Sequence, residues 1–188
     1  MTGVARAGRP VDALWWLPVI LGCAALLVRP VGGVATPQRL ALLAAIAVAV
    51  AVCGLAFPAG IGRTDRAGAV VALAAGGAAL ACAWLVGGPR ISPRADGAAV
   101  AVSVAAAVAE ELLFRRALFG ALLRAGPAVA LVGSAVVFAA VHVPAYGWAA
   151  LPVDLGAGLL FGWQRQASGT WAVPALTHAA ANVIGGLW

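Results

Sequence analysis

The chain contains no lysine: its twelve basic residues are all arginine, and with six acidic ones they make only 10% of 188 residues charged. A soluble domain carries about 25%, so there is too little polar surface here to cover a core in water. With 64% hydrophobic residues and a mean hydropathy of +1.03, the chain reads as an integral membrane protein, and at this length as one bundle. The missing lysine, beside heavy use of Ala, Gly and Val, points to a GC-rich, bacterial genome, hence a bacterial inner (cytoplasmic) membrane. The net charge of +6 is spread as single or paired arginines between apolar runs. That scatter excludes a nucleic-acid surface and suits topology determinants and contacts to anionic membrane lipid.

Other things are missing too. Cys23, Cys53 and Cys82 fall one each in the first three apolar runs, with no CxxC and no Cys/His cluster. Neither a structural zinc site nor a disulfide framework is thereby indicated, and the cysteines read as small packing residues. HExxH does not occur. No repeat of fixed period and no inverted-repeat pair is visible, which counts against a transporter.

What is present is a series of apolar runs near the roughly 20 residues that cross a bilayer: 12–29, 39–58, 67–88, 97–124, 127–143, 147–164 and 170–187. The expected fold is all-α, a polytopic transmembrane helical bundle of about seven spans, with the active site buried among the last four. The fifth to seventh runs are short enough to merge differently. Trp15, Trp16, Trp148, Trp163, Trp171 and Trp188 lie near proposed ends, as interfacial aromatic belts do. "GVAT" at 33–36 faintly resembles a signal-peptidase site, but the run before it suits a retained anchor. A cytoplasmic N-terminus puts Arg6, Arg9, Arg63, Arg66, Arg124 and Arg165 inside, against Arg29, Arg39, Arg90 and Arg94 outside. "AAGGAA" at 74–79 and the Gly158/Gly162 spacing let helices approach closely.

Charge inside a span costs about 2.5–3.5 kcal/mol on insertion scales, so the residues carrying it are functional candidates. They are Glu110, Glu111, Arg115 and Arg116 in the fourth span, with the chain's only histidines, His142 and His178, and Asn182. Asp154, near the start of the sixth, reads as structural. Successive residues on a helix stand about 100° apart, so Glu110 and Glu111 cannot face one partner. Glu111 and Arg115 are i,i+4 with the carboxylate first, the favourable order for a pair. Glu110 is then left without a partner on its own helix, while Arg116 is expected to snorkel toward the interface. Phe138 and His142 share a face by the same spacing, as do His178 and Asn182. Counted from a hairpin at Gly126, Glu110 and His142 lie 16 residues before and after it, each about 24 Å from the turn. Three helices can therefore bring Glu110, His142, His178 and Asn182 to one buried pocket.

These residues form EExxxR in "EELLFR", FxxxH in "FAAVH" and HxxxN in "HAAAN", in that order. The pattern resembles the CAAX protease and bacteriocin-processing family (CPBP, also called Abi) of intramembrane proteases, which includes the Rce1-type CAAX prenyl endopeptidases. The likeness covers 97–188 as the protease core; 1–96, about three N-terminal helices, carry no motif. It implies an intramembrane endopeptidase acting on a membrane-associated peptide or protein. Glu110 would activate water with help from His142, and His178 and Asn182 would stabilise the oxyanion or help bind a metal. Glu111, Arg115 and Phe138 would be structural or orienting.

The chemistry fits in kind. A carboxylate can take a proton from water and pass it on, an imidazole can orient that water, and paired donors can meet an oxyanion. Glu110, His142 and His178 are also an acceptable zinc ligand set with one open position. The family has been described as metallo- and as metal-independent glutamate proteases; a divalent metal such as zinc stays open, with the metal-free reading preferred. Two other functions fit the composition. One is a member of the fold serving as a membrane immunity or scaffold protein, the other a proton- or ion-conducting protein.

Overall fold

A computed structural model describes residues 16–29, 36–56, 64–87 and 97–184. Arg6, Arg9, Trp15, Arg63, Arg90, Arg94, Trp188 and most of the "GVAT" stretch lie outside the described residues. Within them the chain is helical: α1 (Leu17–Leu27), α2 (Pro37–Ala56), α3 (Arg66–Gly87) and α4 (Gly97–Glu111) come first. A π-wound stretch, Leu112–Leu118, continues α4 into α5 (Phe119–Leu122) and a closing 3-10 turn, Leu123–Ala125. Then follow α6 (Pro127–Tyr146), α7 (Leu151–Ser168) and α8 (Ala172–Ile184). The protein is a multi-pass helical membrane bundle. By length and composition, 37–56, 66–86, 97–125 and 127–146 can cross a bilayer, whereas 17–27 and 172–184 are shorter apolar helices.

The short C-terminal runs stay separate, and the breaks show why. Gly126 (φ 119°) and Gly169 (φ 71°) adopt left-handed backbone that a side chain would disfavour, stopping one helix before the next begins. Prolines at the first or second position start α6 and α7, where a missing N–H matters least. The sequence put the end of the fifth span at 143, before "PAYG"; α6 in fact runs through Pro144 to Tyr146. In the last turn proline forfeits a single backbone bond and its fixed φ is helical, so Gly147 ends the helix instead. The extra turn carries Tyr146 over His142. Trp16, Trp148 and Trp171 stand at helix ends as expected.

Helix contacts follow the small residues. A Cβ on Gly158 would lie 3.0 Å from Ala135 Cα and one on Gly162 2.8 Å from Leu131 Cδ1, so α7 is seated directly on α6. In "AAGGAA", Gly76 faces Gln164 and Thr177, while Gly77 meets nothing within 4 Å among the described residues. Gln164 Nε2 donates to the Ala72 carbonyl and Thr177 Oγ1, both at 2.8 Å, joining α3, α7 and α8. The core gathers around the π-wound stretch, where Leu113, Phe114, Ala117 and Leu118 pack with Val19, Leu26, Val50, Phe138 and Phe161.

The sequence anticipates an unbroken helix here but not its wide winding. Gly54 of α2 lies against this backbone, and a Cβ there would stand 2.5 Å from Leu112 C and 2.7 Å from Leu112 O. Arg116, expected to snorkel, instead turns inward: its Nη1 donates to the Gly54 carbonyl at 2.7 Å. A buried carbonyl beside a bare glycine holds the cation better than lipid does.

Two substitutions test this contact. Gly54→Ala has backbone in its way and is expected to lower stability by about 1–3 kcal/mol, seen as a lower Tm in detergent micelles. Gly77→Ala points into open space and is expected to leave Tm unchanged or raise it slightly. Equal effects of the two would show that α2 does not press on the π-wound backbone.

Candidate active site

Glu110 and Glu111 end α4 and, being adjacent, diverge into different surroundings. Both are buried. Glu111 Oε2 stands 3.3 Å from Arg115 Nε, the i,i+4 pair that the spacing anticipates. Arg115 has no exposed surface. Its Nη2 donates to the Gly158 carbonyl at 3.2 Å, and its guanidinium lies over the rings of Phe138, Phe161 and Phe114 at 5.0, 5.7 and 5.9 Å. Desolvated on all sides, this cation is answered by one carboxylate, one carbonyl and three ring faces.

Glu111 has a second partner. His178 Nδ1 donates to Glu111 Oε1 at 3.0 Å, since a carboxylate oxygen beside it can only accept. The sequence groups His178 with Glu110; the structure bonds it to the neighbouring carboxylate. Its ring stacks on Phe161, 5.0 Å between centroids. Asn182 does project from the same side of α8, but its Nδ2 donates to the Ser103 carbonyl at 3.1 Å. Because α8 runs antiparallel to α4, one turn forward from His178 leads away from the carboxylates.

Glu110 faces His142, as the equal count from Gly126 requires: Oε2 and Nε2 are 3.5 Å apart. His142 Nδ1 lies 2.7 Å from the Phe138 carbonyl, which only accepts, so the ring proton is on Nδ1. A neutral His142 therefore turns a bare Nε2 toward a carboxylate oxygen. Two acceptors so placed hold together through a proton between them, on either group or on a bridging water. Phe138 shapes this corner as expected, with its ring 4.4 Å from that of His142 and 5.9 Å from that of His178.

The sequence reading missed Glu110's second partner. Arg29, just beyond α1, places Nη1 2.5 Å from Glu110 Oε1, and its guanidinium lies 5.4 Å from the centre of the Tyr146 ring. Tyr146 in turn stacks on His142 at 5.7 Å. Arg29 ends an apolar run before a proline, the position of an ordinary topology-setting charge, and nothing local marks it otherwise. Asp154, one turn into α7, has a buried Oδ2 without a hydrogen-bond partner among the described residues and lies within the electrostatic reach of Arg29, Glu110, His142 and His178.

Among the described residues, no group of three His, Cys, Asp or Glu side chains is placed to hold a metal ion. Glu110, His142 and His178 do not converge as such a set, because Glu110 Oε1 is held by Arg29 and His178 by Glu111.

Residues 97–184 match the family model described as type II CAAX prenyl endopeptidase, Rce1-like. No curated protein and no solved structure matches the chain.

If Arg115 and Glu111 sustain one another, removing either leaves a buried charge unanswered. Arg115→Met and Glu111→Gln are each expected to cost about 3–5 kcal/mol. The double substitution should cost clearly less than the sum. Thermal unfolding of the four proteins in one detergent measures this; additive losses would mean that the pair is not coupled.

Proposed function

We propose, from the match of residues 97–184 to the Rce1-like family model, that the protein is an intramembrane endopeptidase in which Glu110 is the general base and His142 its partner in handling the proton. The observation that carries this reading is the facing of Glu110 Oε2 and His142 Nε2 at 3.5 Å in a buried setting. A water held there gives up a proton to the pair as its oxygen bonds to the peptide carbonyl carbon. The carbonyl's electron pair moves to its oxygen. When the tetrahedral intermediate collapses, the C–N bond breaks and the stored proton passes to the leaving amine. The carboxylate and amine products then leave, and Glu110 and His142 are back in their starting state.

Glu111 does different work. With Arg115 and His178 as partners it has no free side toward substrate, and it fixes α4, the π-wound stretch and α8 relative to each other. Proximity and orientation depend on this framework. The mechanism needs no metal, a reading supported by the other commitments of Glu110 and His178. The family description points to a peptide ending in a prenylated CAAX sequence as the first substrate to try; other membrane-associated peptides remain in the same class. We further propose a bacterial inner membrane as the location, supported by the arginine-only, alanine- and glycine-rich composition.

The test uses full-length protein reconstituted in liposomes with a farnesylated CAAX peptide and a quenched transmembrane peptide. Glu110→Gln is expected to lower turnover by about 10²–10⁴-fold, and His142→Phe to lower it as well. Activity equal to wild type in Glu110→Gln would overturn the assignment. A strong chelator such as 1,10-phenanthroline is expected to leave turnover intact; loss of activity restored by added zinc would show a metal-dependent reaction.

A further inference from the structure

The proposed reaction creates an oxyanion, and its donor has to be found. Of the residues expected to supply it, His178 commits Nδ1 to Glu111 and Asn182 commits one of its two Nδ2 hydrogens to the Ser103 carbonyl, which leaves room for a further donor. Among the described residues three buried guanidinium nitrogens, Arg115 Nε, Arg115 Nη1 and Arg29 Nη2, have no hydrogen-bond partner. Arg115 is sealed at 0% side-chain exposure, behind three aromatic rings. Arg29 keeps 11% and reaches the base itself through Nη1.

We infer that Arg29, just beyond α1 and outside the family-matched region, is a catalytic residue whose Nη2 meets the oxyanion formed as Glu110's water attacks. The inference rests on the hydrolase reading above. The two Nη atoms belong to one rigid planar fork, so a group bound at Nη2 lies beside the carboxylate bound at Nη1. The attacked carbonyl oxygen and the base that activates water are thus held by the same cation. Tyr146 beneath the guanidinium fixes that plane. In a site with little water a full positive charge stabilises a developing negative one far more than in solution. The free donor is also a reason for a buried polar atom to be left unbonded in the resting protein, since burial without a partner is unfavourable.

The experiment measures kcat and KM on the farnesylated CAAX peptide for liposome-reconstituted wild type, Arg29→Gln, Arg29→Lys, Arg29→Ala and Glu110→Gln. Arg29→Gln is expected to lose about 10²–10³-fold in kcat with KM nearly unchanged, the signature of a contact made in the transition state. Arg29→Lys should keep part of that loss from appearing, and guanidinium ion should raise the kcat of Arg29→Ala by about tenfold or more. A purely structural role would give no such rescue and would lower Tm in step with activity. Wild-type or higher kcat in the Arg29 variants, or a change in KM alone, would overturn the inference. If Glu110→Gln is inactive while Arg29→Gln is not, Arg29's role fails and the hydrolase reading stands. If wild type is silent or Glu110→Gln turns over normally, the reading fails and Arg29's role with it.

Discussion

An arginine with no exposed surface can persist in a membrane bundle only when its charge is answered inside the protein. Arg115 meets that condition through Glu111, and much of the fold is arranged around the pair. Its Nη2 requires the Gly158 carbonyl, which comes within reach because glycine lets α7 press against α6. Its own carbonyl accepts from Arg165 Nε at 3.1 Å, a second tie to α7. Glu111's remaining oxygen takes His178, which fixes α8. One buried ion pair thus links the π-wound stretch to α7 and, through its carboxylate, to α8, while the neighbouring carboxylate on α4 faces His142 and Arg29 instead.

That division explains why two carboxylates are adjacent. Placed side by side on a helix they are forced apart by about 100°, and each enters a different environment. Glu111 enters a dry aromatic niche with a permanent cation. Glu110 enters the corner formed by α1, α6 and the start of α7, where a histidine, a tyrosine, an aspartate and Arg29 gather. The N-terminal helices are accordingly part of the site's construction: α1 leads to Arg29, and α2 clamps the π-wound backbone at Gly54, with Arg116 as the bolt. π-wound segments often occur beside functional sites, and this one begins at the residue after the carboxylates.

Much of this was legible in the sequence, for physical reasons that can be named. Long apolar runs, and breaks marked by glycine and proline, define helices almost independently of context, so the bundle and its hairpin at Gly126 could be read directly. Helical spacing yielded the Glu111–Arg115 pair and the facing of Glu110 and His142. What spacing along one helix cannot convey is which of two neighbouring acceptors a residue from another helix will choose; His178 went to Glu111, and Asn182 to a backbone carbonyl. Nor could it reveal Arg29, whose partner lies 81 positions away. Arg116 turned inward because of a glycine on α2, again a contact with no local trace.

The central claim is that Glu110 performs chemistry while Glu111 holds the fold. Its most direct test is to place Glu110→Gln and Glu111→Gln side by side, measuring peptide turnover and Tm for both in the same membrane mimic. The account predicts that Glu110→Gln loses turnover while giving up less stability than Glu111→Gln, whose loss appears first in Tm. Equal loss of turnover with equal loss of Tm in the two variants, or full activity in Glu110→Gln, would contradict it.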